Sequence, residues 1–205
     1  MTRLTGCVAA LLTFVIIRVG VCSAAPVVLN PSFEDNGPHG YPGYGAIADW
    51  EASGVNWGLN QQSDPFNNGK TIPDGNQVAF VQRDGQIRQL VGGCEPGSRY
   101  VVKLFSGKRF TFKNPTMRIY VDGNTLWDSL LPSGKYWHFT SLSFVATGTT
   151  ANVVLESDAR DGEDESVQWD LVSVEKVNDG EAYVEHGSDE RYSSKSDFLL
   201  AHQPT

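Results

Sequence analysis

The chain has 205 residues, a net charge of −8 and 21 glycines, and aromatic residues make up 11% of it. This length suits one domain with short extensions, and the negative charge makes nucleic acid and anionic membranes poor partners because both repel acidic proteins. Abundant glycine together with a few large aromatic side chains is typical of a β-rich recognition module with many turns.

The first 25 residues have the pattern of a secretory signal peptide. Arg3 supplies the positive charge, Val8–Ile17 is an apolar run, and Ala24–Ala25 offers small residues for cleavage. The run is short for a membrane span and Arg18 follows it, so we predict a secreted or extracytoplasmic protein with no membrane span in the mature chain. A retained membrane anchor is the alternative. Cleavage would change the net charge to −10 and leave only Cys94, which excludes a disulfide framework within the domain.

Between Pro26 and Val177 the sequence shows short β-rich runs separated by turn residues, without helical periodicity. Hairpins are predicted around Asp84-Gly85 and Asp122-Gly123-Asn124, since these are preferred turn sequences. Apolar and polar residues alternate in several runs, which is typical of strands with one face in a core. We therefore predict an all-β, two-sheet antiparallel β-sandwich. Its predicted strands are Val27–Leu29, Gln77–Gln82, Gln86–Val91, Tyr100–Ser106, Met117–Val121, Thr125–Trp127, Trp137–Ala146, Ala151–Glu156 and Val167–Val174.

Two segments lack this strand pattern. Asp35–Lys70 is predicted to be a long loop, rich in glycine and aromatic residues, and loops of that length in compact domains are often functional. The residues after Val177 are polar and charged. The predicted organisation is a signal peptide over 1–25, a β-sandwich domain over 26–177 and a flexible tail or linker over 178–205. Such a tail leaves open whether the chain belongs to a larger parent protein.

Several motifs resemble those of galactose-binding-like jelly-roll domains. Asn30-Pro31-Ser32-Phe33-Glu34 resembles their opening, Asp74–Gln82 resembles an internal strand, and Trp169–Val174 resembles their closing strand. The order and spacing of the motifs cover roughly residues 27–177. The resemblance implies a jelly roll of about eight or nine strands, similar to the carbohydrate-binding modules of secreted glycan-degrading enzymes.

The same resemblance implies a structural calcium ion. In the family it is held by the glutamate of the opening motif and the aspartate of the closing strand, which match Glu34 and Asp170. Calcium prefers oxygen ligands, and an ion shared by these two carboxylates would tie the first and last strands together. Leu171 replaces a second family aspartate, which removes one potential ligand. The alternative is that both carboxylates are structural: Glu34 only accepts backbone N–H bonds, and Asp170 lies at a polar edge. The acidic residues of 158–165 lack EF-hand spacing and are interpreted as solvated charge.

Sugar recognition needs aromatic rings that stack on pyranose faces and planar polar groups that bond hydroxyls. Tyr100, Val102 and Leu104 share one parity, assigned to the core, so the opposite parity of this strand faces outward, where the resemblance implies that ligands bind. Trp137 is opposite in parity to the apolar residues Leu142 and Phe144, which assigns it to the same outward-facing surface. The alternative is that most of these aromatic residues belong to the core. The predicted ligand-binding set is Trp57, Lys103, Phe105, Arg109 and Trp137.

Common catalytic motifs are absent, including Gly-x-Ser-x-Gly, His-Glu-x-x-His and a glycine-rich phosphate loop. We therefore expect a protein that is not an enzyme and that binds a polysaccharide or oligosaccharide. Two other classes remain open. One is a structural or adhesion module of the cell envelope that binds protein partners. The other is a small glycan-active lyase or hydrolase, with two close carboxylates or a Lys/Tyr pair in a cleft.

Overall fold

The computed structural model describes residues 24–37, 43–63, 67, 70–109, 115–131, 135–159, 165–177 and 187–189. The predicted signal peptide up to residue 23 and most of the predicted tail lie outside these residues. No helix in the described part has the length and apolar character needed to cross a membrane. The strands are β1 Glu51–Gln61, β2 Gln77–Gly92, β3 Arg99–Lys108, β4 Thr116–Val121, β5 Asn124–Leu130, β6 Trp137–Thr140, β7 Phe144–Val145, β8 Thr150–Asp158, β9 Ser166–Lys176 and β10 Gly187–Asp189.

The strands pair antiparallel in one curled sheet that folds into two layers, which confirms the all-β sandwich. The order is β10-β6-β3-β9-β2-β8-β4-β5, with β1 beside β2 and β7 beside β3. The long strand β2 belongs to both layers, because Ala79–Gln82 pairs with β9 whereas Gly85–Gly92 pairs with β8. We call the layer containing β6, β3, β9 and the start of β2 the front sheet. The back sheet contains β8, β4, β5 and the end of β2.

The predicted hairpin at Asp84-Gly85 is wrong, because β2 runs through it without turning back. Arg83 has a φ of 62°, and the register of β1 against β2 shifts between Gly54 and Asn56. The chain therefore bends here from one sheet into the other, as irregular pairing permits. A Cβ on Gly85 would lie 2.6 Å from the Ser53 carbonyl oxygen, so the glycine allows close approach of two strands.

The hairpin predicted at Asp122-Gly123 is confirmed, since β4 and β5 pair on either side of it. Asp122 and Gly123 have φ values of 50° and 80°, as expected for a two-residue turn that follows the twist of its strands. The predicted run Trp137–Ala146 divides into β6 and β7. By contrast, β1 lies inside the segment predicted to be a loop. Its glycines and polar residues hide the alternation that pairing with β2 imposes.

The core lies between the two sheets. Trp169, Tyr100, Phe139, Ile87 and Met117 are among its fully buried side chains. Trp50 is also in this core. Cys94 is buried, as expected for a small structural cysteine, and burial raises the pKa of its thiol.

Candidate functional site

The outer face of the front sheet carries the side chains that alternate with the core. Val102 and Leu104 of β3 are buried in the core, so Lys103 and Phe105 project from the opposite face, as predicted. On β9, Val172 and Val174 likewise belong to the core. Ser173 and Glu175 therefore lie on the outer face beside β3.

A cavity of about 730 Å³ lies on this face, and we call it the outer groove. The front sheet forms its floor, and the segment from Ala24 to Val28, together with Pro31, forms one wall, of which Ala24 and Ala25 belong to the predicted signal peptide. The cavity has the volume of a small-ligand site, with mostly apolar walls and a few polar groups. Its sheet residues are Tyr100, Lys103, Phe105, His138 and those numbered 171–176, and Glu95 completes the lining.

An ion pair spans the floor of the outer groove. The Nζ atom of Lys103 lies 2.6 Å from Oε2 of Glu175, and the Ser173 hydroxyl donates to Oε1 of the same carboxylate over 3.0 Å. Lys103 pairs with Ser173 in the register of β3 and β9, which places the two charged residues diagonally across the strands. The floor thus offers a cation, a carboxylate and a hydroxyl side by side.

Four residues close over the centre of the outer face, and we call Asn67, Lys70, Ile72 and Tyr136 the bridge. The Tyr136 hydroxyl lies 2.9 Å from Oε1 of Gln168 and 3.1 Å from Oδ1 of Asn67. The Lys70 ammonium donates to the Lys108 carbonyl over 2.7 Å and to Oε1 of Gln168 over 3.2 Å. It also lies 4.5 Å from the centre of the Tyr136 ring. Segments from two sides of the sheet are thereby joined over β9.

The bridge buries Phe105, which is only 2% exposed although the sequence predicted an exposed ligand contact. Phe105 packs in a small apolar cluster with Ile72, Val78, Tyr136 and Leu171. Its ring also lies 5.1 Å from that of His138. The parity predicted for Phe105 is therefore right and its exposure is wrong, since parity assigns a face but not what covers that face.

Burial shifts the pKa values of Lys70 and Tyr136, the two ionisable side chains of the bridge. Desolvation, followed by the nearby charge of Lys108, lowers the pKa of Lys70 to about 8. Desolvation, followed by the charge of Asp170, raises the pKa of Tyr136 well above its ordinary value. Tyr136 is therefore a neutral phenol held inside the protein.

The lowered pKa of Lys70 predicts a specific dependence of stability on pH. Between pH 8 and 10 the folded state loses this proton while the unfolded state keeps it, so stability contributed by Lys70 rises with pH. We expect the free energy of unfolding of the native protein to rise by up to about 3 kcal/mol relative to Lys70→Met over this range. Urea unfolding of both proteins at several pH values measures this, and parallel pH profiles would contradict it.

Trp137 faces the core side of the front sheet, contrary to the sequence interpretation. It packs against the hydrophobic core, and its Nε1 is buried without a hydrogen-bond partner among the described residues. His138 is the β6 residue that faces the outer groove. The parity argument failed because it was counted from Leu142 and Phe144, which lie beyond the end of β6. Alternation does not continue across a break between strands.

The other two predicted ligand residues lie away from the outer groove. Trp57 is half-buried and packs against the core. Arg109 lines a small recess with Tyr44, whose hydroxyl donates to Oε1 of Gln82 over 3.0 Å. The other residues of this recess are Asn60, Phe80 and Ser166. The structure therefore brings together Lys103 and Phe105, and separates them from Trp57, Arg109 and Trp137.

The two carboxylates of the predicted calcium site lie around one turn. Oε1 of Glu34 accepts the backbone N–H groups of Asn76 and Gln77, each over 2.9 Å. Asp170 is fully buried, and its oxygens accept the N–H groups of Asp74 and Leu171, each over 2.8 Å. The alternative reading of Glu34 as an acceptor of backbone N–H groups thus describes real contacts.

Burial raises the pKa of Asp170 well above its ordinary value. Its two backbone hydrogen bonds oppose that rise, whereas the carboxylates of Asp74 and Glu34 add to it. Three acidic groups therefore share one electrostatic environment. Among the described residues, no group of three or more His, Cys, Asp or Glu side chains is arranged to hold a metal. A calcium ion here would need backbone carbonyl oxygens besides the carboxylates.

The sequence interpretation missed Ser173, Glu175, His138 and the bridge. The alternation of Val172 and Val174 could have placed Ser173 and Glu175 on the outer face. Nothing in the sequence near Lys70 and Tyr136 shows that they meet, because 66 residues separate them and the contact is purely tertiary.

No family model matches the sequence, and no curated protein matches it. Solved structures do match. An arabinose-bound α-L-arabinofuranosidase has a TM-score of 0.51 at 14% identity, over 75% of this chain and 27% of that chain. A family 61 carbohydrate-binding module in complex with β-1,4-galactotriose has a TM-score of 0.48 at 15% identity, over 73% of this chain and 97% of that one. A family 22 xylan-binding domain from Paenibacillus barcinonensis has a TM-score of 0.47 at 10% identity, over 76% and 96%.

The strand pairing gives the antiparallel β-sandwich that the sequence predicted, and the likeness to the arabinofuranosidase agrees with it at the level of the fold. At these identities the likeness concerns the fold alone.

Proposed function

We propose that this protein is a secreted, non-catalytic carbohydrate-binding module whose oligosaccharide or polysaccharide ligand lies in the outer groove. The observation that carries the proposal is a ligand-sized cavity on the outer face of the front sheet, with apolar walls and the Lys103–Glu175 pair on its floor. Apolar walls suit the C–H faces of a pyranose, and Lys103, Glu175 and Ser173 suit its hydroxyls. The burial of Tyr136 and the hydrogen bonds of its hydroxyl to Gln168 and Asn67 support a non-catalytic role for this side chain.

A screen of immobilised polysaccharides tests this function. The panel contains galactan, xylan, arabinan, mixed-linkage β-glucan, homogalacturonan and alginate, and begins with the ligands named for two similar structures. We expect retention on at least one polymer without release of soluble sugar. Absence of binding to every polymer would favour the structural or adhesion module, and release of sugar would favour the enzyme.

Lys103→Ala is expected to weaken glycan binding by at least about tenfold, because it removes a charged hydrogen-bond donor from the groove floor. Arg88→Ala is the matched control. Arg88 forms a 2.6 Å ion pair with Glu51, but this pair is exposed and lies outside the groove lining. Isothermal titration calorimetry with the polymer selected in the screen measures the affinities. Equal affinities for the two variants, at unchanged melting temperature, would remove Lys103 from the site.

We further propose that calcium binds beside Glu34 and Asp170 as a structural ion. The donors there are all oxygens, and each carboxylate oxygen can accept more than one contact, so hydrogen bonds to the backbone leave room for a hard cation. Burial is the main cause of the raised pKa of Asp170, and a cation would offset the smaller contribution from repulsion by Asp74 and Glu34. Because Glu34 precedes β1 and Asp170 lies in β9, the ion would tie distant parts of the chain together.

Removal of calcium is expected to lower the melting temperature by several degrees. Saturation at about 100 times the dissociation constant contributes about 2.7 kcal/mol to stability. For a domain of this size that corresponds to roughly 5–10 °C. Differential scanning calorimetry in EDTA, in calcium and in magnesium measures the shift, and magnesium should restore little of it. Identical melting temperatures in EDTA and calcium would overturn the calcium proposal.

A further inference from the structure

We propose that the outer groove is closed at the bridge and therefore recognises the ends of glycan chains rather than their interior. The inference rests on the proposed glycan-binding function and specifies which part of a polysaccharide the site accepts. It follows from the direction of the groove, from the residues that close it and from the contacts that hold those residues in place.

The outer groove runs along the strands. Its floor extends on β3 from Tyr100 to Phe105 and on β9 from Lys176 to Leu171, and Tyr100 pairs with Lys176. Five residues of strand correspond to about 17 Å. In the mature chain, Pro26 to Val28 and Pro31 line one side of this floor, and the Pro31 carbonyl accepts the N–H of Val172 over 2.9 Å. A linear ligand in this groove therefore lies parallel to the strands.

The bridge stands across one end of that path. Phe105 and Leu171 line the groove, Phe105 belongs to the same apolar cluster as Ile72 and Tyr136 of the bridge, and Leu171 packs against that cluster. Beyond the bridge, the outer-face residues Val78 and Gln168 are fully buried. Within the described part of the chain, the lining of the outer groove therefore ends at Phe105 and Leu171, where the bridge packs.

The contacts of the bridge make it a wall rather than a mobile side chain. Tyr136 is held by its hydroxyl at Asn67 and Gln168, and by Lys70 on its ring. Opening it would expose the buried ring of Tyr136 to water and break the hydrogen bonds that the Tyr136 hydroxyl makes with Asn67 and Gln168. An internal sugar unit, which is linked on both sides, cannot occupy the closed end because the chain would run into the bridge. A terminal unit can occupy it.

Partial hydrolysis of the polysaccharide selected in the screen tests the inference. Hydrolysis multiplies chain ends without changing composition, so cutting the mean chain length about tenfold should raise the binding capacity per gram about tenfold. Capacity per gram that stays constant would overturn the chain-end inference and leave the proposed function standing. Absence of binding to polymer and hydrolysate across the whole panel would overturn both.

Ile72→Ala provides a second test by shortening the wall. We expect the capacity ratio of hydrolysate to polymer to fall toward one in this variant. Ile119→Ala removes the same atoms from a fully buried position on β4, outside the groove, and should keep the native ratio. If Ile72→Ala does not fold, the hydrolysis experiment with the native protein decides. An unchanged ratio in folded Ile72→Ala would show that the bridge does not close the groove.

Discussion

Replacing Trp169 with alanine is expected to lower the free energy of unfolding by about 3–5 kcal/mol, because it empties a large, fully buried site. Trp169 is 0% exposed and lies on β9, between β3 and β2. Its neighbours across the strands are Ala79 and Ser106, whose small side chains cannot fill the space. Urea unfolding followed by circular dichroism measures the loss.

Trp169→Phe separates packing from hydrogen bonding. The indole Nε1 of Trp169 is buried and has no hydrogen-bond partner among the described residues, so phenylalanine loses no hydrogen bond and removes an unsatisfied donor. The control is Trp50→Phe. Trp50 is 5% exposed, and its Nε1 donates to the Asn30 carbonyl over 3.3 Å. We expect Trp50→Phe to cost about 1 kcal/mol more than Trp169→Phe. The opposite order would show that packing alone governs both positions.

Gly75→Ala is expected to destabilise the fold by about 2–5 kcal/mol through two effects. Gly75 has a φ of 65°, which an alanine adopts only with strain. A Cβ there would also overlap the carboxylate of Glu34. Glu34 would have to move, and the backbone N–H groups of Asn76 and Gln77 would lose their acceptor.

Gly97→Ala isolates the backbone strain from the displacement of Glu34. Gly97 has a φ of 83°, and a Cβ on it would have no atom within 4 Å. We expect it to cost about 1 kcal/mol and to keep the calcium-dependent rise in melting temperature, which Gly75→Ala should lose. Calorimetry of both variants in calcium and in EDTA makes the comparison. A calcium response retained by Gly75→Ala would place the ion away from Glu34.

The arrangement of the outer face bears on how ligand residues are sought in sandwich domains. None of the three aromatic residues predicted to contact a ligand is an exposed platform. Trp57 and Trp137 pack against the core, and Phe105 lies in the apolar cluster that the bridge covers. The polar groups on the groove floor are instead ordinary alternating residues of β3 and β9. A glycan in the outer groove would meet Lys103 and Glu175 as a matched pair, and their mutual ion pair keeps the floor polar but close to neutral.

The sequence by itself determined the sandwich, most of its strands and the face of Lys103 and Phe105. Alternation of side chains and preferred turn residues are local properties of the sequence. They were therefore sufficient to predict the turn at Asp122-Gly123 and the strands β3, β4, β8 and β9. The motifs also predicted that Glu34 and Asp170 share one site. In the structure, both carboxylates lie near the turn that contains Asp74. Whether calcium occupies that place stays a prediction.

Only the tertiary structure decided what covers each face. The bend of β2 at Arg83 joins two sheets because both halves find different partners, and local turn chemistry at Asp84-Gly85 predicted the opposite. Strand β1 forms because β2 supplies its hydrogen bonds, since its own residues lack a strand pattern. The closure of the outer groove depends on Lys70 meeting Tyr136 across β9. Contacts between residues so far apart in the chain follow from packing, which local sequence patterns do not encode.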